Sequence, residues 1–135
     1  MGIYWDGDAL SDILNGLNIS KWVYINSSMI KLFDGRDFGC VSNNGTKANP
    51  CLSVDLFGDW REEIICRTAD SKELRIYSTS IPTEIKLYTL MHNPQYRLSI
   101  AWQNVAYNQP PHVSYFIGEG MKAPSKPNIT IITKK

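Results

Sequence analysis

The sequence predicts an all-β protein that forms part of a β-propeller. Apolar residues occur in short alternating runs separated by Gly, Asn, Asp and Pro, which is typical of strands joined by tight turns. No segment has a strong helical period. A segment near the N-terminus also recurs in similar form 51 residues later, which we call the internal echo. This spacing is that of one four-stranded propeller blade.

The predicted strands are rich in β-branched and aromatic residues and follow one another along the whole chain. They cover residues 22–25, 29–33, 63–68, 74–78, 86–89, 99–102, 114–117 and 128–133. The best helical candidate, 8–16, is only a turn or two long and ends at a glycine. Eight short strands are equally typical of a sandwich, a barrel or a propeller, so their number does not decide between these folds.

The internal echo favours the propeller. Gly7 in WDGDALSDIL aligns with Gly58 in FGDWREEII, and each glycine is followed by carboxylates at the same two positions and then by an apolar pair. A closed propeller needs about 4–8 blades, more than 135 residues can form. We therefore expect a C-terminal fragment of a propeller, with blade-like units at about 1–54 and 55–120 and a linker and strand at 121–135.

Charge and hydropathy exclude two classes of partner. Fourteen basic and thirteen acidic residues leave a net charge of +1, without the basic cluster that nucleic-acid binding requires. No apolar run approaches the roughly 20 residues of a membrane span. The chain has no signal peptide, but its first residues resemble the middle of an element, so we expect any export signal to lie in a longer parent.

The cysteines indicate neither a zinc site nor a disulfide framework. Cys40, Cys51 and Cys66 are odd in number and have no CxxC spacing. One Cys40–Cys51 bridge remains open, but three buried free thiols are the favoured alternative.

An acidic loop at 55–63 predicts a calcium site. Its carboxylates flank Gly58, and Ca²⁺ takes six to eight oxygen ligands at about 2.3–2.6 Å. The alternative is a solvated turn in which Asp59 or Glu62 caps a strand end. The echo favours calcium, so the predicted ligands are Asp55, Asp59 and Glu63 in this second loop and Asp6, Asp8 and Asp12 in the first loop.

Several longer motifs resemble one family. They are YWDGDALSDIL at 4–14, SNNGTKANP at 42–50, DWREE, IPT, YTLMH, PQYRLSIAWQN and NQPPH. Together they are similar to the C-terminal part of the rhamnogalacturonan lyases of polysaccharide lyase family 11, over nearly the whole chain.

This resemblance implies an eight-bladed, calcium-containing propeller of which the chain would form about the last two blades. It implies an enzyme of pectin degradation that cleaves rhamnogalacturonan I between rhamnose and galacturonic acid by β-elimination. The partner would be this pectic polysaccharide, and the full-length parent would be secreted or periplasmic.

The resemblance also implies a substrate site. Asn44, Gly45 and Thr46 would contact the uronate, Lys47 would be a catalytic or charge-neutralising residue, and Asn104 would bind the sugar. Taken without the resemblance, NNGTK is more typical of a surface turn, because Asn-Gly favours positive φ.

Aromatic residues are a weaker indication of sugar binding. Tyr96, Trp102 and Tyr107 could stack on pyranose rings, but packing in a blade core is the favoured interpretation of each. Neither His92 nor His112 has companions at the spacing of a catalytic triad or a metal site.

Two functions remain open at this stage. The first is a fragment of a rhamnogalacturonan lyase that needs self-association or the missing blades to complete its cleft. The second is a non-catalytic, calcium-stabilised module that binds polysaccharide or has a structural role. Lys47 within NNGTK favours the lyase, because a pure scaffold has no need of that loop.

Overall fold

The computed structural model describes residues 1–105 and 108–133. All of its strands lie between residues 2 and 77, where they form two antiparallel sheets. The first sheet is a meander in which each strand pairs with the next along the chain. Its strands are β1 (Gly2–Ile3), β2 (Asp12–Asn15), β3 (Asn18–Val23) and β4 (Ser28–Asp34).

The second sheet is built around β7 (Glu63–Thr68). On one edge of β7 lies β8 (Leu74–Tyr77). The other edge is shared, because β6 (Leu52–Val54) pairs with its first half and β5 (Cys40–Val41) with its end. The connection between β5 and β6 therefore projects from one side of the sheet, and it carries the NNGTK motif.

A short helical region follows the sheets. It contains a 3-10 turn at Leu90–His92 and the helix α1 (Pro94–Trp102), and another 3-10 turn, Gly35–Phe38, precedes β5. Asn93 caps α1, because its side chain accepts a hydrogen bond from the Tyr96 N–H at 3.1 Å. Pro94 occupies the first turn, where a missing N–H costs nothing.

The predicted strand at 99–102 is wrong, since these residues form the second half of α1. Four residues are too few to distinguish the apolar spacing of a strand from that of a helix. The Asn93-Pro94 pair that begins the helix lies upstream of this segment. The segments 86–89, 114–117 and 128–133 are not strands either, because no strand among the described residues pairs with them. The short strands β1, β2, β5 and β6 were missed.

The all-β class is confirmed in its coarse form. The predicted strand at 63–68 coincides with β7, and those at 29–33 and 74–78 match β4 and β8 within a residue. The segment 22–25 covers only the end of β3. The described residues form two open sheets and no closed ring, so the propeller and the proposed blade boundaries stay predictions.

Two apolar clusters hold these elements together. The first lies between the sheets and includes Trp5, Leu14 and Ile19 from the first sheet and its loop, and Ile64 and Cys66 from β7. The second packs α1 against the second sheet, with Trp60, Leu90 and Tyr96 fully buried. Because the first cluster contains side chains from both sheets, neither sheet would keep its apolar core without the other.

The three cysteines are free thiols, as the favoured alternative predicted. Cys40 and Cys66 are buried as predicted, whereas Cys51 is half-buried, so the prediction is wrong about its burial. Burial raises the pKa of the Cys66 thiol to about 12, so this thiol stays protonated at neutral pH. Among the described residues, no helix is long and apolar enough to cross a membrane.

Candidate functional site

The connection between β5 and β6 forms a closed loop over residues 43–50, which we call the amide loop. The Asn43 N–H donates to the Asn49 carbonyl at 3.0 Å and closes the loop at its base. The Gly16 N–H donates to the Ala48 carbonyl at 3.1 Å and ties the loop to the turn between β2 and β3. The NNGTK motif is therefore anchored to both sheets.

Asn49 is the centre of this arrangement, and its side chain is fully buried. Its Oδ1 accepts hydrogen bonds from Asn44 Nδ2 at 3.1 Å and from Asn108 Nδ2 at 3.0 Å. Its Nδ2 donates to Oδ1 of Asn104. One buried amide thus joins the amide loop to the segment that follows α1.

Asn104 reaches the amide loop because the end of α1 is clamped to β6. The Gln103 side chain is buried and makes a reciprocal pair of bonds with Ser53, accepting from its N–H at 2.7 Å and donating to its carbonyl at 2.8 Å. Asn104 Nδ2 then donates to the Cys51 carbonyl at 2.8 Å. The side chain of Asn49 therefore links Asn104 to Asn44 of the predicted substrate site.

Lys47 lies at the exposed tip of the amide loop with a left-handed backbone, at a φ of 47°. Asn108 Nδ2 donates to the Lys47 carbonyl and holds this backbone from the opposite side. Lys47, Gly45 and Asn108 line an open pocket of about 460 Å³ that also contacts Asn15. A second open pocket, of about 410 Å³, lies on the other side of Ala48 and reaches Arg36.

The side chains around the amide loop suit a hydroxyl-rich ligand that also carries a carboxylate. Each asparagine carries both hydrogen-bond donors and acceptors, which is what sugar hydroxyl groups require. Lys47 adds a positive charge beside them, which suits a uronate carboxylate. Thr46 is exposed in the same turn, between Gly45 and Lys47.

Asn49, Asn108 and Gln103 were missed by the sequence reasoning. The density of asparagine in 43–49 and again at 104 and 108 was the only available signal. Buried amides that hold a loop look the same in sequence as exposed turn residues, so this signal does not identify them.

The first acidic loop, residues 4–12, has its carboxylates around a lysine. The Nζ atom of Lys21 on β3 lies 3.0 Å from Asp6 Oδ2, 2.6 Å from Asp8 Oδ2 and 3.3 Å from Asp12 Oδ1. Burial would lower the pKa of Lys21, but its hydrogen bonds to Asp8 and Asp6 outweigh that effect and raise it. Lys21 is therefore a charged ammonium at neutral pH.

The second acidic loop, residues 55–63, has its carboxylates dispersed. Asp55 Oδ2 accepts from Thr89 Oγ1 and the Leu90 N–H, both at 2.7 Å. Asp59 accepts from the Arg61 Nε at 3.1 Å. Glu63 Oε2 accepts from the backbone of residues 56 and 57, and its Oε1 accepts from Ser78 Oγ at 3.0 Å.

Neither loop, as arranged, fits calcium. An ammonium stands among the carboxylates of the first loop, and those of the second loop point to different partners. Within residues 1–105 and 108–133, no group of three or more His, Cys, Asp or Glu side chains is placed to hold a metal ion. The calcium prediction stays a prediction, and no step of the chemistry below depends on it.

Glu62, beside the second loop, is fully buried and links three segments. Its Oε2 accepts from the Tyr4 N–H at 2.9 Å and its Oε1 from the Tyr96 hydroxyl at 2.6 Å. The Tyr96 oxygen in turn accepts from the Asp55 N–H at 2.8 Å. Burial raises the pKa of Glu62 to about 7, although both of its hydrogen bonds oppose that shift.

The remaining candidates have structural surroundings. Tyr96 lies in the second core cluster, as the favoured interpretation predicted. Trp102 is partly exposed and meets the ring of His112 edge-on, and His112 Nδ1 is hydrogen-bonded to Ser99 Oγ at 2.9 Å. Tyr107 lies outside the described residues.

Comparison with known proteins identifies relatives over nearly the whole chain. The model of the rhamnogalacturonan lyase family 11 C-terminal domain matches residues 1–127. The rhamnogalacturonan endolyase YesW of Bacillus subtilis is 57% identical over 128 residues, which are 95% of this chain and 20% of YesW. The exolyase YesX of the same organism is 50% identical over 98% of this chain and 23% of YesX.

Solved structures agree with these matches. The crystal structure of YesW superimposes with a TM-score of 0.90 at 56% identity, over 96% of this chain and 22% of that one. A family 11 rhamnogalacturonan lyase of Bacillus licheniformis gives a TM-score of 0.90 at 54% identity, with the same coverage. The chain therefore spans about a fifth of the length of the lyases that it matches.

Proposed function

The chain belongs to rhamnogalacturonan lyase family 11, and from this membership we propose that it forms one wall of the substrate cleft of a rhamnogalacturonan lyase. The observation that carries the proposal is the buried Asn49 side chain, which joins Asn44 to Asn104. These two residues are predicted to bind substrate and are 60 positions apart in the sequence.

The proposed reaction is a β-elimination on galacturonate. A base removes the C5 proton, the electron pair forms the C4–C5 double bond, and the C4–O4 bond breaks so that O4 leaves with the rhamnose. The C5 proton is only weakly acidic, so the neighbouring carboxylate has to be neutralised while the negative charge develops. The products are an unsaturated uronate end and a new reducing end.

In this reaction the asparagines and Lys47 have separate roles. Asn44 and Asn104 hydrogen-bond sugar hydroxyls, and the backbone at Gly45 and Thr46 approaches the uronate. Lys47, at the rim of the 460 Å³ pocket, either accepts the C5 proton or neutralises the carboxylate. Asn49 touches no substrate and acts by positioning its neighbours.

We infer that the chain alone binds the polymer without cleaving it efficiently. It spans about a fifth of the length of its lyase relatives, so the opposite wall of the cleft belongs to other parts of a full-length lyase or to further copies. Because the proposed substrate is a polymer met outside the cytoplasm, we place the full-length parent among secreted or periplasmic proteins.

The first test measures binding and cleavage with the same chain. We expect rhamnogalacturonan I oligosaccharides to bind in titration calorimetry, without a rise in the ultraviolet absorbance of unsaturated uronate. Cleavage is expected only from a full-length lyase that carries this chain as its C-terminal part. Binding by the chain without cleavage by that lyase would support the purely binding module, and absence of both would contradict the proposal.

The second test separates the two roles of Lys47 in that full-length lyase. Lys47→Ala should lower kcat by about 100-fold or more, the usual size of a lost acid–base or charge-stabilising group. Lys47→Arg keeps the charge but cannot act as a base at neutral pH, so it preserves turnover only if Lys47 neutralises charge. Lys72→Ala, at a lysine that is 81% exposed in the turn between β7 and β8, is the matched control.

A further inference from the structure

Two Asn-Gly pairs occur in the sequence, Asn15-Gly16 at the turn between β2 and β3 and Asn44-Gly45 in the amide loop. Asparagine is a chemically labile residue, and most of all before glycine, because the next backbone nitrogen can attack the side-chain amide carbon. Glycine has no Cβ to block that approach and leaves the backbone free to make it. The fold gives the two pairs different surroundings.

The glycine nitrogen of the first pair is held in place. The Gly16 N–H donates to the Ala48 carbonyl at 3.1 Å, so this hydrogen bond has to break before the nitrogen can lose its proton and attack. Gly16 also has a left-handed backbone, at a φ of 64°, in the tight turn of the hairpin. Asn15 is exposed, but its neighbour is fixed, so we expect this pair to be stable in the folded chain.

The glycine nitrogen of the second pair is not held in this way. The Gly45 N–H donates to no acceptor among residues 1–105 and 108–133. Gly45 is exposed, and a Cβ placed on it would meet no atom within 4 Å. It also lines the open pocket of about 460 Å³ beside Lys47. The backbone at Gly45 therefore has room to move, and water has access to it.

The carbonyl group of Asn44 adds to this difference. The Ser42 hydroxyl donates to this carbonyl at 3.1 Å. A hydrogen bond to the carbonyl of a peptide group polarises the group and makes its N–H, here that of Gly45, more acidic. The Asn44 side chain donates from Nδ2 to Asn49 Oδ1 at 3.1 Å. This bond holds the nitrogen that would leave, and it is lost when the reaction takes place.

We propose that Asn44 is a site of spontaneous deamidation, and that this reaction removes an amide on which the candidate cleft depends. The Gly45 nitrogen forms a bond with the Asn44 Cγ atom, and the Cγ–Nδ2 bond breaks to release ammonia. Water then opens the resulting succinimide ring and leaves either aspartate or isoaspartate at position 44. Over both steps the chain loses one NH₃ and gains one H₂O, so water is the only co-reactant.

Deamidation should change the amide loop in two ways. The new carboxylate is an acceptor only, so it cannot donate to Asn49 Oδ1 as the Asn44 amide does. It also places a negative charge where a uronate is proposed to bind, and like charges repel. Isoaspartate in addition lengthens the backbone of the loop by one carbon. The loss of polymer binding rests on the proposed function, whereas the reaction itself does not.

Peptide mass spectrometry of the folded chain tests the reaction. Trypsin separates the two pairs, which fall in peptides 1–21 and 37–47. During incubation at mildly alkaline pH, peptide 37–47 should gain the mass that corresponds to NH₂ replaced by OH. Peptide 1–21 should react at least about 10-fold more slowly, because one hydrogen bond has to break first. Fragment ions assign the change to Asn44 and not to Asn43.

Two comparisons show whether the folded structure causes the difference. The free synthetic peptides 1–21 and 37–47 lack the hydrogen bond from Gly16 to Ala48, so both should deamidate at similar rates. Gly45→Ala in the whole chain should slow the reaction several-fold, because its methyl group hinders the attack and has room in the fold. Equal rates at the two pairs in the folded chain, or no reaction at Asn44, would overturn the proposal.

Titration calorimetry of incubated samples tests the consequence. Binding of rhamnogalacturonan I oligosaccharides should fall in proportion to the fraction of chain modified at Asn44. Asn44→Asp should bind at least about 10-fold more weakly than the unaltered chain, since a donor is lost and a charge is added. Asn44→Gln, whose longer side chain closes such a ring far more slowly, should keep its own initial affinity throughout the incubation.

The two failures are distinguishable. Undiminished binding by a fully modified sample would overturn the proposed consequence of the reaction and the role given to the Asn44 amide. A fresh chain that does not bind the oligosaccharides would contradict the proposed function and with it the consequence for binding. It would not contradict the deamidation, which the mass measurement decides alone.

Discussion

At the scale of single residues, three buried or half-buried polar side chains explain most of the particular geometry of this chain. Asn49 joins the two segments of the candidate cleft, Lys21 compensates three carboxylates, and Glu62 links the first loop to α1. Buried polar groups are costly unless they are paired, so each of these sites has a single favourable arrangement.

Asn49→Ala should destabilise the chain by about 2 kcal/mol and weaken polymer binding, because three neighbouring amides lose their common partner. Asn49→Asp keeps the acceptor for Asn44 and Asn108 but faces Asn104 Oδ1 with another acceptor. Titration calorimetry should therefore show weaker binding of rhamnogalacturonan I oligosaccharides by both variants. Asn26→Ala, in an exposed turn, is the control, and equal binding by all variants would contradict the positioning role.

Glu62 predicts a pH dependence of stability. Its pKa is about 7 in the folded chain and lies near 4.5 when unfolded, so folding favours the protonated carboxyl. The stabilisation is complete below about pH 4.5 and is lost as the pH rises towards 7, by about 3 kcal/mol. Denaturant titrations of Glu62→Gln should give a flatter profile in this window, whereas exposed Glu84→Gln should leave it unchanged.

At the scale of elements, the acidic loops organise the strands that follow them. Each loop turns the chain through a glycine with positive φ and ends in a carboxylate that binds two of its own backbone N–H groups, directly at the start of β2 or β7. The loops therefore set where these strands begin. This role is observed in the structure, and the calcium ions stay a prediction.

Gly7→Ala should be more destabilising than Gly39→Ala, although both glycines have positive φ. A Cβ at Gly7 would lie 2.8 Å from Thr83 Cβ, but one at Gly39 meets no atom within 4 Å. The backbone strain common to both is about 1 kcal/mol, so the difference isolates the contact with Thr83. Equal losses in thermal unfolding would show that this contact relaxes without cost.

At the scale of the whole molecule, the two sheets depend on each other. Trp5, Leu14 and Ile19 pack in one cluster with Ile64 and Cys66 of β7. The amide loop connects two strands of the second sheet and is hydrogen-bonded to the β2–β3 turn of the first sheet and to the segment after α1. The candidate cleft wall lies where these parts meet. Its shape thus depends on how the sheets pack and not on any one element.

We expect the chain to unfold in a single transition. Ile64→Ala, at a fully buried position, should lower the free energy of unfolding by about 2–5 kcal/mol. Both sheets should then unfold together, at the same lower denaturant concentration. Ile76→Ala, on the half-exposed β8, should have a much smaller effect. Fluorescence and far-ultraviolet circular dichroism should give coincident denaturation curves, and two separate midpoints would contradict the shared core.

The sequence by itself determined the β class, the family and the repeated loops. These follow from local patterns: the alternation in 63–68 that buries one face of β7, and glycines at equivalent positions that permit the same turn. The helix α1 was missed because four residues cannot distinguish the apolar spacing of a strand from that of a helix, although Asn93 and Pro94 mark the helix start.

Only the tertiary structure decided which side chains meet. The pairing of residues 44–47 with Asn104 depends on the contact of Asn49 with Asn104 and on the clamp at Gln103, which join residues 55 and 50 positions apart. Whether a row of carboxylates surrounds an ion or a lysine depends on the register of β2 with β3, which places Lys21 opposite Asp12. A shift of one residue would turn that ammonium to the other face of the sheet, so composition and spacing could not reveal it.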